Sequence, residues 1–285
     1  MKVIKVTPRG YCKGVVNAIN IAKQTKSDYP TKNIYILGML VHNSFVNAEL
    51  NALGIITVEN TKKSRLELLD DINDGVVIFT AHGVSSLVHQ KALDKNLICI
   101  DASCQDVIKT QNIISEYIAN DYDVIYIGKN HHPEAEAICE LSNRVHLVED
   151  TQDLLELGSL KRVFVTNQTT MSYLDVENIF KLIKDKYPNA IFSSEICNAT
   201  MIRQRAVMNL TNVDVLYVVG DTKSNNSNRL AAIGKEHGIK KVYLIDSIAD
   251  VTINQYNIND CVAITSGAST PTYLTNEVID YFESL

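Results

Sequence analysis

The sequence predicts an α/β protein built from three similar units with mostly parallel sheets around a central cavity, and three observations predict it. Short β-branched runs alternate with helical patterns along all 285 residues; three cysteines recur at near-equal intervals; and two strands ending in polar loops follow each of them. Alternation of this kind favours parallel sheets, because a parallel partner is reached only through a crossover helix.

The clearest strands are NIYILG, VVIF, LICI, DVIYIG, RVFVT, DVLYVVG, KVYLI and CVAIT, and the opening MKVIKV has strand-like alternation. Between them, Gly14 to Lys26 places Val15, Ala18, Ile19 and Ala22 three and four apart, the stripe of an amphipathic helix. Val107 to Ala119 and Val176 to Lys186 repeat that pattern. No Pro-rich linker or low-complexity tract divides the chain, so its units are read from repetition, as 1–101, 102–194 and 195–285. The first strand is free to pair within the last unit, since strand order does not show in sequence.

Cys12, Cys104 and Cys197 are 92 and 93 residues apart, and each follows an extended segment and precedes a helical one. Taking His42, His82, His132, Thr169, Ser224 and Ser269 as loop markers, the offsets from the preceding cysteine are 30 and 70, 28 and 65, then 27 and 72. One plan is used three times. In parallel α/β units ligands bind beyond the carboxyl ends of the strands, so three such units facing one axis are expected to bring three thiols and six polar loops to one cavity. Cys99, Cys139 and Cys261 fall inside apolar strands or a helix and read as small core residues.

With 33 acidic against 27 basic residues and a net charge of -6 in no long block, a surface that neutralises nucleic-acid phosphates is not expected. No apolar run approaches a membrane span or signal core, and six sparse cysteines suit a reducing compartment, so a cytoplasmic location is expected.

Structural zinc draws ligands from close pairs such as C-x2-C and fills four positions, a pattern missing here. An iron-sulfur cluster held by three thiolates leaves one iron open to a substrate, which points towards catalysis. The loops offer imidazole, hydroxyl and amide groups at helix starts, suiting phosphate, although each could instead be a plain helix cap. No phosphate loop or dinucleotide fingerprint supports a nucleotide. His132-Pro133-Glu134 pairs a group titrating near neutrality with a carboxyl two residues on, suited to proton delivery or merely to opening a helix. His89, His146 and His237 read as solvated.

Cys12 in GYCKGV, His42 in VHN, AHGVS at 81–85, DASC at 101–104, HPEAE at 132–136, NQTTMS at 167–172, EICNAT at 195–200, SNNSNRL at 224–230 and SGASTP at 266–271 occur in order along the chain. Together they resemble the 4-hydroxy-3-methylbut-2-enyl diphosphate reductase, or LytB, family. The resemblance implies three α/β units around a [4Fe-4S] cluster on Cys12, Cys104 and Cys197. It implies diphosphate contacts at His42, His82, Ser224, Asn225, Asn226 and Ser269, a proton-relay carboxylate at Glu134, and Thr169 and His132 beside it at the substrate alcohol. Asn225 stands where the family commonly has Ser. The implied reaction is reductive dehydroxylation of the allylic alcohol diphosphate to isopentenyl and dimethylallyl diphosphate, by a monomer taking electrons from flavodoxin or ferredoxin, with Lys13 a candidate docking residue. Two other readings are a cluster-bearing redox sensor or carrier, and a metal-free sugar-phosphate enzyme.

Overall fold

The computed structural model describes residues 1–285. The chain opens with β1 (Lys2–Lys5) and α1 (Lys13–Asp28). Then come β2 (Ile34–Leu37), α2 (Ser44–Ala52), β3 (Ile55–Val58), α3 (Arg65–Leu68), β4 (Val76–Phe79), α4 (Ser86–Asp94) and β5 (Ile98–Asp101). The middle third holds α5 (Gln105–Ala119), β6 (Asp123–Ile127), α6 (Pro133–Cys139), β7 (Val145–Val148), α7 (Thr151–Glu156), β8 (Val163–Asn167), α8 (Tyr173–Lys186) and β9 (Ile191–Phe192). The last third holds α9 (Asn198–Met208), β10 (Val215–Val219), α10 (Asn225–Glu236), β11 (Lys241–Ile245), β12 (Cys261–Ser266) and α11 (Thr272–Glu283).

Three four-stranded sheets result, ordered β3-β2-β4-β5, β7-β6-β8-β9 and β11-β10-β12-β1, and every pairing is parallel. The order is the same each time. In the third sheet the edge position beside β12 is filled by β1, with Lys2 opposite Cys261 and Lys5 opposite Ile264. All eight strands expected from the clearest runs are present, as is the opening strand. The strands not anticipated, β3, β7 and β9, are short edge strands that are only partly buried.

Central strands β4, β8, β10 and β12 are buried along their whole length. Their near-continuous apolar runs follow from having helices on both faces, which leaves no solvated side to require alternation. Contacts resolve the chain into two compact units. One comprises Met1–Val15, His42–Val46 and Cys197–Leu285. Within it, Tyr217, Ile264, Leu274, Val278 and Phe282 pack on one side of the third sheet. Leu216, Val218, Ala263, Leu230 and Ile233 pack on the other. The second unit comprises Val16–Val41 and Asn47–Ile196 and contains the other two sheets. Its cores gather Leu37, Val77, Phe79 and Val88 around the first of them, and Val124, Tyr126, Ile138 and Phe164 around the second. No helix is long and apolar enough to cross a membrane.

Phe282 is fully buried from α11 against Tyr217 and Tyr256. Phe282→Ala is expected to destabilise the fold by about 3–5 kcal/mol, read as a lower urea midpoint at unchanged slope.

Candidate functional site

Each of the three recurring cysteines stands just past the fourth strand of a sheet and just before a helix. Cys104 caps α5 with φ -66 and ψ 139, and Cys197 caps α9 with φ -64 and ψ 147. Cys12 directly precedes α1. Hydrogen bonds hold these turns to the end of the neighbouring strand or the loop beyond it. Cys12 N–H donates to the Ala268 carbonyl (2.9 Å) beyond β12, and Cys104 N–H to the Ala81 carbonyl (3.0 Å) beyond β4. Before Cys197, the Glu195 N–H donates to Oδ1 of Asn167 (3.1 Å), the last residue of β8. A sulfur at such a position meets the partial positive charge of a helix start.

All six thiols are unbridged, but the other three have different surroundings. Burial pushes the Cys139 thiol up to about 11 and raises that of Cys99, which keeps both protonated, and Cys261 is buried at the start of β12. Cys261 is a core residue, as its sequence setting suggests, while Cys99 and Cys139 are only partly buried within their strand and helix.

The second compact unit holds the acid group. Pro133 opens α6 with its φ preset for a helix, so Glu134 lies in the first turn, where its carboxyl is 1% exposed. Glu134 Oε1 accepts from the Thr169 N–H (2.8 Å) and the Tyr126 hydroxyl (3.2 Å), and Oε2 accepts from the Thr169 hydroxyl (2.9 Å). Burial raises the Glu134 pKa to about 7, while the bonds from Thr169 and Tyr126 pull it down. The loss of water outweighs three donors, and the carboxyl is poised between its two states at neutrality. His132 caps the same helix, its Nδ1 accepting from the Glu134 N–H (3.2 Å). An N–H only donates, so that bond requires an unprotonated Nδ1 and puts the proton of the neutral ring on Nε2. The His82 ring lies edge-on to it, centroids 5.4 Å apart, with Thr80 Oγ1 3.4 Å from His82 Nδ1.

The first compact unit gathers the remaining polar loops. Ser224 caps α10, its hydroxyl accepting from the Ser227 N–H (3.3 Å). Asn225 follows, partly exposed, and Asn226 is buried with both amide side-chain atoms lacking any partner in the protein. A polar group in that state is costly unless something else satisfies it. Beneath it the packing admits no further atoms, since a Cβ on Gly220 or Gly267 would come within 2.3 or 2.1 Å of the Ser227 hydroxyl oxygen. Ser269 donates its hydroxyl to the His42 carbonyl (3.0 Å), joining the β12 loop to the segment carrying His42.

Capping accounts for some of the polar loop residues and not for others. Asn43 caps α2, Ser85 α4, Ser172 α8 and Ser224 α10. Capping does not account for His42, His82, Thr169, Asn226 or Ser269, of which Thr169 bonds Glu134 and Ser269 bonds the His42 carbonyl. Among the other histidines, His89 and His237 are exposed, His131 is exposed at φ 58, and His146 is half-buried beside Asp123 (3.3 Å).

Two residues of these sites were not anticipated. Tyr126 lies in the apolar strand DVIYIG, where a tyrosine reads as core, and nothing in the sequence aims its hydroxyl at Glu134. Arg203 sits in a helix of mixed polarity and is 3% exposed. The only available signal was its spacing of six from Cys197, which is too weak to single it out.

The model of the LytB protein family matches residues 3–283. The 4-hydroxy-3-methylbut-2-enyl diphosphate reductase of Anoxybacillus flavithermus is 49% identical over 99% of this chain and 90% of its own length. The protein of that name from Macrococcus caseolyticus is 47% identical over 99% and 89%. Among solved structures, the E-1-hydroxy-2-methyl-but-2-enyl-4-diphosphate reductase of Plasmodium falciparum superposes with a TM-score of 0.91 at 30% identity, covering 98% of this chain and 87% of that one. With a matching sheet plan and likeness along nearly its whole length, the chain belongs to the LytB protein family.

Proposed function

We propose that this protein reductively dehydroxylates (E)-4-hydroxy-3-methylbut-2-enyl diphosphate to isopentenyl and dimethylallyl diphosphate, using an iron-sulfur cluster ligated by Cys12, Cys104 and Cys197. The reading is carried by the match along 99% of the chain to reductases of that name. The donor set fits such a cluster, because three thiols share one position after a strand and before a helix, while the other three lie within strand or helix. When bound, a [4Fe-4S] cluster on three thiolates supplies electrons singly and an iron without a protein ligand.

The chain's own groups then have distinct tasks. Asn226, with Ser224, Asn225, His42, His82 and Ser269, binds the diphosphate, and the start of α10 favours its negative charge. Holding that remote group orients the alcohol end for reaction. Glu134 keeps a proton on its carboxyl out of water, and Thr169, bonded to it through Oγ1, passes that proton towards the departing hydroxyl. His132, with its Nε2 proton, is placed in the same relay beside Glu134. Two electrons and two protons are consumed, and the oxygen leaves as water. The protein works as a cytoplasmic monomer, and its electron donor is of the flavodoxin or ferredoxin type, with exposed Lys13 beside Cys12 as a contact.

Anaerobic reconstitution with iron and sulfide, followed by assay with the alcohol diphosphate and a chemical reductant, tests the reading. Visible sulfur-to-iron absorbance together with formation of both products is expected. A loaded protein that leaves the substrate untouched would be a sensor or carrier instead. Glu134→Gln should keep cluster and substrate binding and lose turnover by about 10²- to 10⁴-fold. Wild-type turnover should fall as pH rises through about 7, since the proton-bearing form of Glu134 is depleted, and the residual rate of the Gln variant should lack that fall. Asn226→Ala should weaken substrate binding by about 1.5–3 kcal/mol, on the order of 10- to 100-fold in Kd, because it removes a donor to a charged group.

A further inference from the structure

Arg203 is a guanidinium 3% exposed, in α9, six residues after Cys197. Its two terminal nitrogens reach two different cysteine segments. Nη1 donates to the Ala199 carbonyl (2.9 Å), two residues after Cys197, and Nη2 donates to the Gly10 carbonyl (2.7 Å), two residues before Cys12. Its Nε is buried without a partner. The Gly10 end of this link is itself fixed. The Gly10 N–H donates to the Ser266 hydroxyl (2.7 Å), its φ is +74, and a Cβ there would lie 2.4 Å from the Thr272 hydroxyl oxygen.

No carboxylate forms an ion pair with this guanidinium; burial works against its charge, and negative charge on Cys12 and Cys197 would favour it. An arginine does not shed its proton to escape burial, so the charge remains and calls for an anion. Two carbonyl dipoles supply acceptors but no net negative charge. Thiolates that ligate a cluster do supply it, and they are the groups that the guanidinium already brackets.

We propose that Arg203 is the buried counter-cation of the iron-sulfur cluster, spanning the segments of Cys12 and Cys197 through their backbone carbonyls and raising the cluster's reduction potential by its fixed charge. The inference rests on the proposed ligation by those cysteines. Reduction adds negative charge to the cluster, and a cation held nearby out of water stabilises the reduced state more than the oxidised one. Arg203 is thus a positioning residue that makes the cluster easier to reduce.

The test is a redox titration of the cluster in the full-length loaded protein, followed by electron paramagnetic resonance, for wild type, Arg203→Lys and Arg203→Gln. The Gln variant should shift to a more negative midpoint at equal iron and sulfide content, while the Lys variant, which keeps the charge, should stay close to wild type. A Gln variant that folds but holds no cluster, beside a Lys variant loaded at the wild-type midpoint, also supports the proposal. An unchanged midpoint in the Gln variant overturns it. So does a Lys variant shifted as far as Gln, or loss of the folded circular dichroism in both variants, since the clamp alone would then account for the residue. A wild-type chain that takes up no iron and sulfide fails at the cluster reading itself, which separates that failure from a failure of Arg203's role.

Discussion

Taking the Glu134 carboxyl out of water is the constraint on which the acid site depends. A buried carboxylate with no donors would stay neutral well past physiological pH, and one with three donors in water would stay ionised. Here burial and the bonds from Thr169 and Tyr126 oppose each other, and the balance lies near 7. Each contributor comes from a different element: Glu134 from the first turn of α6, Tyr126 from β6, and Thr169 from the loop after β8. The parallel pairing of β6 with β8 places their carboxyl ends side by side, which is how residues 35 apart in sequence come to share a proton site.

The same strand order in all three sheets has a functional reading. In each, the two central strands end in loops with polar side chains, and the fourth strand leads into a cysteine at the start of a helix. Recurrence of that arrangement separates Cys12, Cys104 and Cys197 from the other thiols more firmly than any local motif. Helix caps along these loops use one residue each, and they do not account for the other histidines, amides and hydroxyls that recur beside them.

Much of this was legible in the sequence, for physical reasons. Central strands carry apolar runs because both faces are covered, and spacing alone revealed the threefold use of one plan. Edge strands β3, β7 and β9 escaped notice because, partly exposed at the sheet margins, they lack the covered faces that give the central strands their apolar runs. Tyr126 and Arg203 escaped for another reason. A tyrosine in a buried strand and an arginine in a helix are ordinary residues until three-dimensional packing shows what their polar atoms face. Sequence motifs identify groups that act directly, whereas the groups that set their charge and position lie on elements whose patterns are governed by packing.

The pairing of β1 with β12 has a consequence for the order of assembly. A ribosome makes β1 long before β12, yet the edge position of β1 and the carbonyl that receives the Cys12 N–H both belong to the β12 segment. Until that segment emerges, Cys12 has no scaffold, whatever the earlier sheets have already formed. A nascent polypeptide stalled before residue 261 would leave the Cys12 turn without the carbonyl that anchors it, so the earliest-made of the three cysteine turns would be the last to be seated.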